Sequence, residues 1–262
     1  MSSLATVIKA EEFHAPGPSN FDLPGFADSA VTKPMLQLVL AAVVVFGFFF
    51  LAIRRGTLVP SRLQYAGESA YNMVRNSIAR DVIGGHDFRA FVPYLLTLFF
   101  FILANNLFAT IPFIQFPTFS RASMAYALAA LSWVIYNVVG IRRHGFGGYL
   151  KLQTVPSGVQ AFMLPLLVPL EFFSNILVRP VTLALRLFCN MFAGHLLLIL
   201  FATGGLYLIR DYGGVIGSVS GVLAWVLAIA IAFLEILVQF LQAYVFALLN
   251  AMYIQGALAD EH

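Results

Sequence analysis

The chain has 262 residues, 60% of them hydrophobic and only 10% charged. A soluble globular domain usually carries about 25% charged residues, so this composition excludes a soluble protein and describes a polytopic membrane protein. The net charge of +3 comes without a long basic run, which argues against a nucleic-acid partner, and the single cysteine, Cys189, excludes an intrachain disulfide or a multi-cysteine metal site.

Residues 1–33 are polar and carry Pro16, Pro18 and Pro24 together with Glu11, Glu12, Asp22 and Asp28. They read as an N-terminal extracytoplasmic arm. No cationic region leads directly into an apolar one there, so no signal peptide is expected. Residues 34–262 read as one membrane domain, all-α, with spans at 35–53, 91–113, 122–141, 161–209 and 215–257. The first span supplies about 20 apolar residues, enough for about 30 Å of hydrocarbon.

Between the first two spans, Leu63, Tyr65, Ala66, Tyr71, Met73, Val74 and Ile78 are interleaved with Arg62, Glu68, Arg75 and Arg80. This pattern predicts an amphipathic helix lying on the membrane face, the alternative being a solvated loop. The second span carries Asn105 and Asn106 and is expected to stop at Pro112. The third carries Asn137 and leads into Arg142, Arg143, His144 and a turn rich in glycine (Gly145, Gly147, Gly148).

The stretch 161–209 is too long for one perpendicular crossing. It predicts either a re-entrant helix or one long tilted helix kinked at Pro169 or Pro180. A polar turn with Gly204, Gly205, Arg210, Asp211, Gly213 and Gly214 then leads into 215–257, and the two long segments predict a hairpin of tilted helices. Cys189 lies within this apolar run and reads as a small packing residue.

Loop charge orients the chain. Arg54, Arg55, Arg62, Arg75, Arg80 and Arg89 share one side with Arg142, Arg143 and Lys151. The opposite side has Arg121 and Arg210, beyond Lys9 and Lys33 of the arm. The positive-inside rule therefore places the N-terminus outside and the C-terminus in the cytoplasm, with five crossings.

The chemistry concentrates in the last two segments. A charged side chain near the bilayer centre costs about 2.5–3.5 kcal/mol by insertion scales, so Arg186 within its apolar run marks function. Asn190, four residues on, shares its helical face. His195 points to the opposite side, about 13 Å further along. Glu235, Gln239 and Gln242 form one stripe on the final segment, and an antiparallel hairpin brings His195 within reach of Glu235. An imidazole titrates near neutral pH and a neighbouring carboxylate can trade a proton with it, which points to proton handling. Arg179 suits snorkelling from a helix end. Glu171 reads either as its structural partner or as the lining of an aqueous inlet.

Two other classes fit less well. A self-contained transporter usually shows internal symmetry, and no repeat is visible. An intramembrane hydrolase needs a paired nucleophile or metal ligands at helical spacing. His14, His86, His144, His195 and His262 provide no such spacing, so no metal or cofactor is expected.

Two motifs carry a resemblance. The run PVTLALRLFCNMFAGH over 180–195 resembles the signature S-L-x-L-R-L-F-x-N-x-x-A-G of subunit a of F-type ATP synthases, and LQAYVFALL over 241–249 resembles that family's L-Q-A-F-I-F-x-x-L. The resemblance covers nearly the whole chain, least distinctively in the arm. It implies a non-catalytic subunit that forms two offset proton half-channels against a ring of c subunits and couples proton flow to rotation and ATP synthesis. Arg186 matches the ring-facing arginine, Asn190 its polar neighbour, and His195 with Glu235 the pair lining the outer half-channel. In some members these two residue types are exchanged. Gln242 matches the polar residue packed near the arginine, and Asn106 a polar position adjoining the channel.

Thr182 stands where serine is usual and retains the hydroxyl, and Cys189 replaces a common glycine with slightly altered packing. Thr182, Glu171 and Gln239 are further candidates for half-channel lining. The implied partners are the c-ring, the peripheral-stalk b subunits, the rest of the complex and the lipid bilayer. The implied location is the bacterial cell membrane, with an organelle inner membrane as the alternative. The His195–Glu235 pair favours protons over sodium.

Overall fold

The computed structural model describes residues 17, 33–54, 60–84, 87–111, 117–155, 162–212 and 214–259. The arm apart from Gly17 and Lys33, together with Arg55, Pro112 and Gly213, lies outside them. The described residues are helical apart from short connections, and five helices are long and apolar enough to cross a membrane. The expected polytopic all-α class is therefore the observed one.

The first spanning helix, α1, is Lys33–Ile53. The amphipathic segment is helical: α2 covers Arg62–Val74 and continues as a π-helical stretch over Arg75–Ile83. Ser61 caps it, its hydroxyl accepting the Gln64 backbone N–H at 3.3 Å. Its inward face is not the one that apolar size would select. Gln64, Gly67, Val74, Ile78 and Ala79 are buried, while Leu63, Tyr65 and Tyr71 are exposed. Small residues let this helix lie close against α1 and the core, and its bulky residues are left for lipid.

Helix α3, Phe88–Leu107, ends a turn and a half before Pro112. The chain leaves it through turns in which the N–H groups of Ala109 and Thr110 bond the carbonyls of Asn106 and Leu107, each at 3.0 Å. Helix α4, Ala122–Thr154, contains one break, at Gly145 (φ 73°). Only glycine adopts that backbone readily, so the chain reverses there. Gly147 and Gly148, expected in a turn, instead belong to the short helical arm that follows.

The stretch expected from 161 is not re-entrant. Helix α5, Leu164–Phe172, runs through a π-helical turn, Phe173–Val178, into α6, Arg179–Tyr207, as one apolar rod. Pro180 explains the π turn. It lacks an N–H, so the carbonyl four residues back, that of Ile176, has no helical donor. The Trp133 indole of α4 donates to that carbonyl at 3.0 Å. A second π-helical turn, Leu208–Tyr212, leads to α7, Gly214–Leu258. At 1.5 Å per residue α7 is about 67 Å long and must tilt strongly in a bilayer about 30 Å thick.

The core lies where α2, α3, α4, α6 and the C-terminal half of α7 meet, around Phe99, Ile102, Leu183, Leu187, Met191 and Phe246. The N-terminal half of α7 is largely exposed: Val215 and Ile216 are 81% and 80% accessible.

Candidate functional site

Close backbone approach makes the α6–α7 hairpin. A methyl group on Gly205 would strike the Trp225 ring and lie 3.0 Å from the Gly221 carbonyl, so only hydrogen fits. The Trp225 indole donates to the Ala202 carbonyl at 3.2 Å, tying the helices together at that level. The register so fixed brings the buried stripe Glu235, Gln239 and Gln242 of α7 against α6 and α3.

Four polar contacts result. His195 Nδ1 lies 3.8 Å from Glu235 Oε1, with the two side chains 11% and 8% exposed. At that separation one bridging water or a small rotation suffices for proton exchange. About two turns along, the Asn190 amide donates to Gln242 Oε1 at 2.6 Å. From α3, the Asn106 amide donates to the Gln239 main-chain carbonyl at 3.2 Å, and Thr110, beyond the end of α3, donates to Gln239 Oε1 at 3.1 Å.

Several atoms along this seam are buried without a hydrogen-bond partner: Glu235 Oε1, Gln239 Nε2, Gln242 Nε2 and Asn106 Oδ1. Buried polar atoms of native proteins are nearly always paired with protein or water, so this seam is polar enough to hold water.

Arg186 stands apart. It is exposed on the opposite face of α6 from His195, as nine helical residues dictate. Among the described residues its guanidinium has no hydrogen-bond or ion-pair partner. Thr182, Cys189 and Ala193 flank it on the same exposed stripe and are all small. Cys189 is therefore not a packing residue within this chain; it faces outward. Thr182 is satisfied locally, donating to the carbonyls of Val178 and Arg179 at 2.9 and 3.0 Å.

A second polar cluster sits where α5 joins α6. Glu171 does not pair with Arg179. Its Oε2 accepts from Asn175 at 3.0 Å, and the same Asn175 amide reaches the Gln153 carbonyl at 2.6 Å. Arg179 donates to Gln153 Oε1 at 3.4 Å and lies over the Tyr253 ring, 5.3 Å from its centroid. Tyr149 donates to Asn137 Oδ1 at 3.0 Å and accepts from Gln153 at 3.1 Å. Tyr253 lies within electrostatic reach of both Arg179 and Arg186.

Sequence reasoning missed Tyr149, Gln153, Asn175 and Tyr253, because the Gly145 reversal that gathers them shows only in three dimensions. Thr110 was missed too, although it is one turn beyond Asn106 and so shares its side of the chain. Asn250, hydrogen-bonded at 3.2 Å by the Tyr94 hydroxyl, was missed as well, although it extends the Glu235–Gln242 stripe by two turns.

No group of His, Cys, Asp and Glu able to hold a metal occurs among the described residues. Comparison with known proteins is unambiguous. The family model described as ATP synthase A chain matches residues 35–255. The chain is 63% identical to ATP synthase subunit a of a Nocardioides species, with all of both chains covered. It is 48% identical to that of Pseudarthrobacter chlorophenolicus, covering 96% of each, and 40% identical to that of Streptomyces lividans, covering 95% of this chain and 89% of the relative. By sequence along nearly its full length, and by a fold of five membrane-spanning helices, this chain belongs to the ATP synthase A chain family.

Proposed function

We propose that this chain forms two offset proton half-channels against a ring of c subunits, and that Arg186 separates them. The observation that carries this reading is the exposed, unpaired guanidinium within an apolar helix, bordered by small residues. A charge at that depth needs a counter-charge, and the described chain holds none beside it. A carboxylate on a neighbouring helix, approaching over Thr182, Cys189 and Ala193, answers both the charge and the shape.

In this scheme a proton enters from the outer side along the α3–α7 seam. Thr110, Asn106 and Gln239 line its upper part, and the His195–Glu235 pair receives it. Asn190 and Gln242 lead on towards the ring. The proton neutralises a ring carboxylate, which then crosses lipid without most of the burial penalty of a charge. After nearly a full turn it is released to the inner half-channel, for which Glu171, Asn175 and Arg179 supply polar lining. Arg186 stays charged under all ordinary conditions. At about 4 Å and an effective dielectric of about 20, it favours the ionised carboxylate by about 4 kcal/mol. It therefore strips each arriving proton and blocks a direct leak.

The N-terminus lies outside and the C-terminus in the cytoplasm of a bacterial cell membrane. The chain is one membrane domain preceded by a short arm. The c-ring and the peripheral-stalk b subunits are its partners, and the chain itself catalyses no bond change. The test is ATP-driven proton pumping by inverted vesicles carrying the assembled complex with Arg186→Ala, with passive proton leak measured after the catalytic head is removed. Lost pumping with raised leak is expected. Normal pumping returns Arg186 to a structural role and overturns the scheme.

A further inference from the structure

A groove runs along the seam of α1, α2 and α3, away from every polar pair described above. Its larger part has a volume of about 520 Å³ and is walled by Phe49, Ala52, Pro93 and Leu96. On the α2 side it is bounded by Gln64, Glu68, Tyr71 and Asn72. A cavity of about 370 Å³ continues it, sharing Phe49, Pro93 and Leu96 and reaching Ala42, Thr97 and Phe101. A third, of about 270 Å³, adjoins across Phe46 and Phe49 and is bordered by Arg54.

Three features select the occupant. From Ala42 to Ile53 the α1 wall extends about 16 Å, close to half of a hydrocarbon core about 30 Å thick, which is the depth of one leaflet. The wall over that length is aliphatic and aromatic, with Phe46, Phe49, Leu96 and Phe101, which suits acyl chains. Two opposite charges border the cavities that share Ile53. Glu68 is exposed and uses Oε1 to accept from the Gln64 amide at 2.8 Å, leaving Oε2 available, and Arg54 is exposed one residue past the wall residue Ile53.

We propose that this groove binds a membrane phospholipid whose headgroup carries both a phosphate and a primary ammonium. One acyl chain lies between α1 and α3 and the other in the adjoining cavity across Phe46. Arg54 takes the phosphate and Glu68 the ammonium.

The test uses the whole complex in phosphatidylcholine vesicles containing, in parallel, phosphatidylethanolamine or phosphatidylglycerol with a photoactivatable acyl chain. Labelled peptides are mapped by mass spectrometry. The ethanolamine probe is expected to label the Phe49 and Leu96 peptides severalfold more than the glycerol probe. Glu68→Gln removes that preference, and Leu96→Trp removes labelling by both probes. Should Glu68→Gln fail to assemble, Arg54→Gln makes the same demand on the preference. Equal labelling by both headgroups in the unmodified complex, or a preference that survives both charge changes, overturns the headgroup site. A groove that stays unlabelled while another subunit cross-links there overturns the lipid occupant.

Discussion

The two faces of α6 solve opposite problems with the same helix. Inward, His195 is buried and faces Glu235 at 3.8 Å, so its chemistry is completed inside the chain. Outward, Arg186 is exposed and has no hydrogen-bond or ion-pair partner among the described residues, so within this chain its charge is unanswered. A helix can serve both because nine residues rotate a side chain halfway round. The lesson is that exposure of a charge within a membrane segment is informative in a way that its burial is not: a buried pair explains itself, whereas an exposed lone charge predicts a neighbour.

The comparison can be broken most severely on the outward face. Arg186→Ala is expected to reduce ATP-driven pumping to background, and Arg186→Lys to fail as well, since a compact ammonium has different geometry and loses its proton more readily when desolvated. Fluorescence quenching of a pH-sensitive dye in inverted vesicles reads both.

On the inward face, Glu235→Gln is expected to remove most of the pumping without raising passive leak, because the separating charge is intact. Raised leak in that variant would merge the two faces into one function. Exchanging the pair, with His195→Glu combined with Glu235→His, is expected to recover part of the loss, since the acid–base pair is retained. No recovery would mean that the local setting of each position matters more than the pair.

A smaller effect is expected at Asn190. Changing it to Ala leaves Gln242, already unpaired at Nε2, without its other partner, at a cost of about 1–3 kcal/mol of stability. Pumping should fall partially, and thermal denaturation of the purified complex should show the loss. Gly205→Ala is expected to cost about 1–3 kcal/mol through overpacking against Trp225. It disturbs register rather than chemistry, so pumping and stability should fall together. The smallest effect is expected for Trp133→Phe, which deprives the Ile176 carbonyl of its donor at a cost of about 1 kcal/mol. Stability is the readout, with pumping nearly unchanged.

Much of this was legible before any fold was seen. Apolar run length marked five segments able to cross a membrane, the number the structure also holds among its described residues, because a segment surrounded by lipid must be continuously apolar. The 3.6-residue period placed Arg186 opposite His195 and put Glu235, Gln239 and Gln242 on one stripe. Runs of apolar residues did not reveal where a helix would end or turn. Helix α3 ends at Leu107, and Thr110 beyond it turns against Gln239 of α7. The third span reverses at Gly145 alone, and the neighbouring glycines stay helical. Charge complementarity suggested that Glu171 could meet Arg179, but Asn175 and Gln153 stand between them in space.

The sequence by itself determined the class of the molecule, the number of its spans and which polar residues share a helical face. These follow from transfer free energy and from the fixed rotation per residue, both local along the chain. Only the tertiary structure decided which of those faces meet. The glycine contact near the hairpin turn sets the register of α6 against α7, and the Pro180 π turn lets α5 run on into α6 as one rod. Whether a given polar residue ends beside a partner or bare towards lipid depends on contacts between segments far apart in the chain, where no local period reaches.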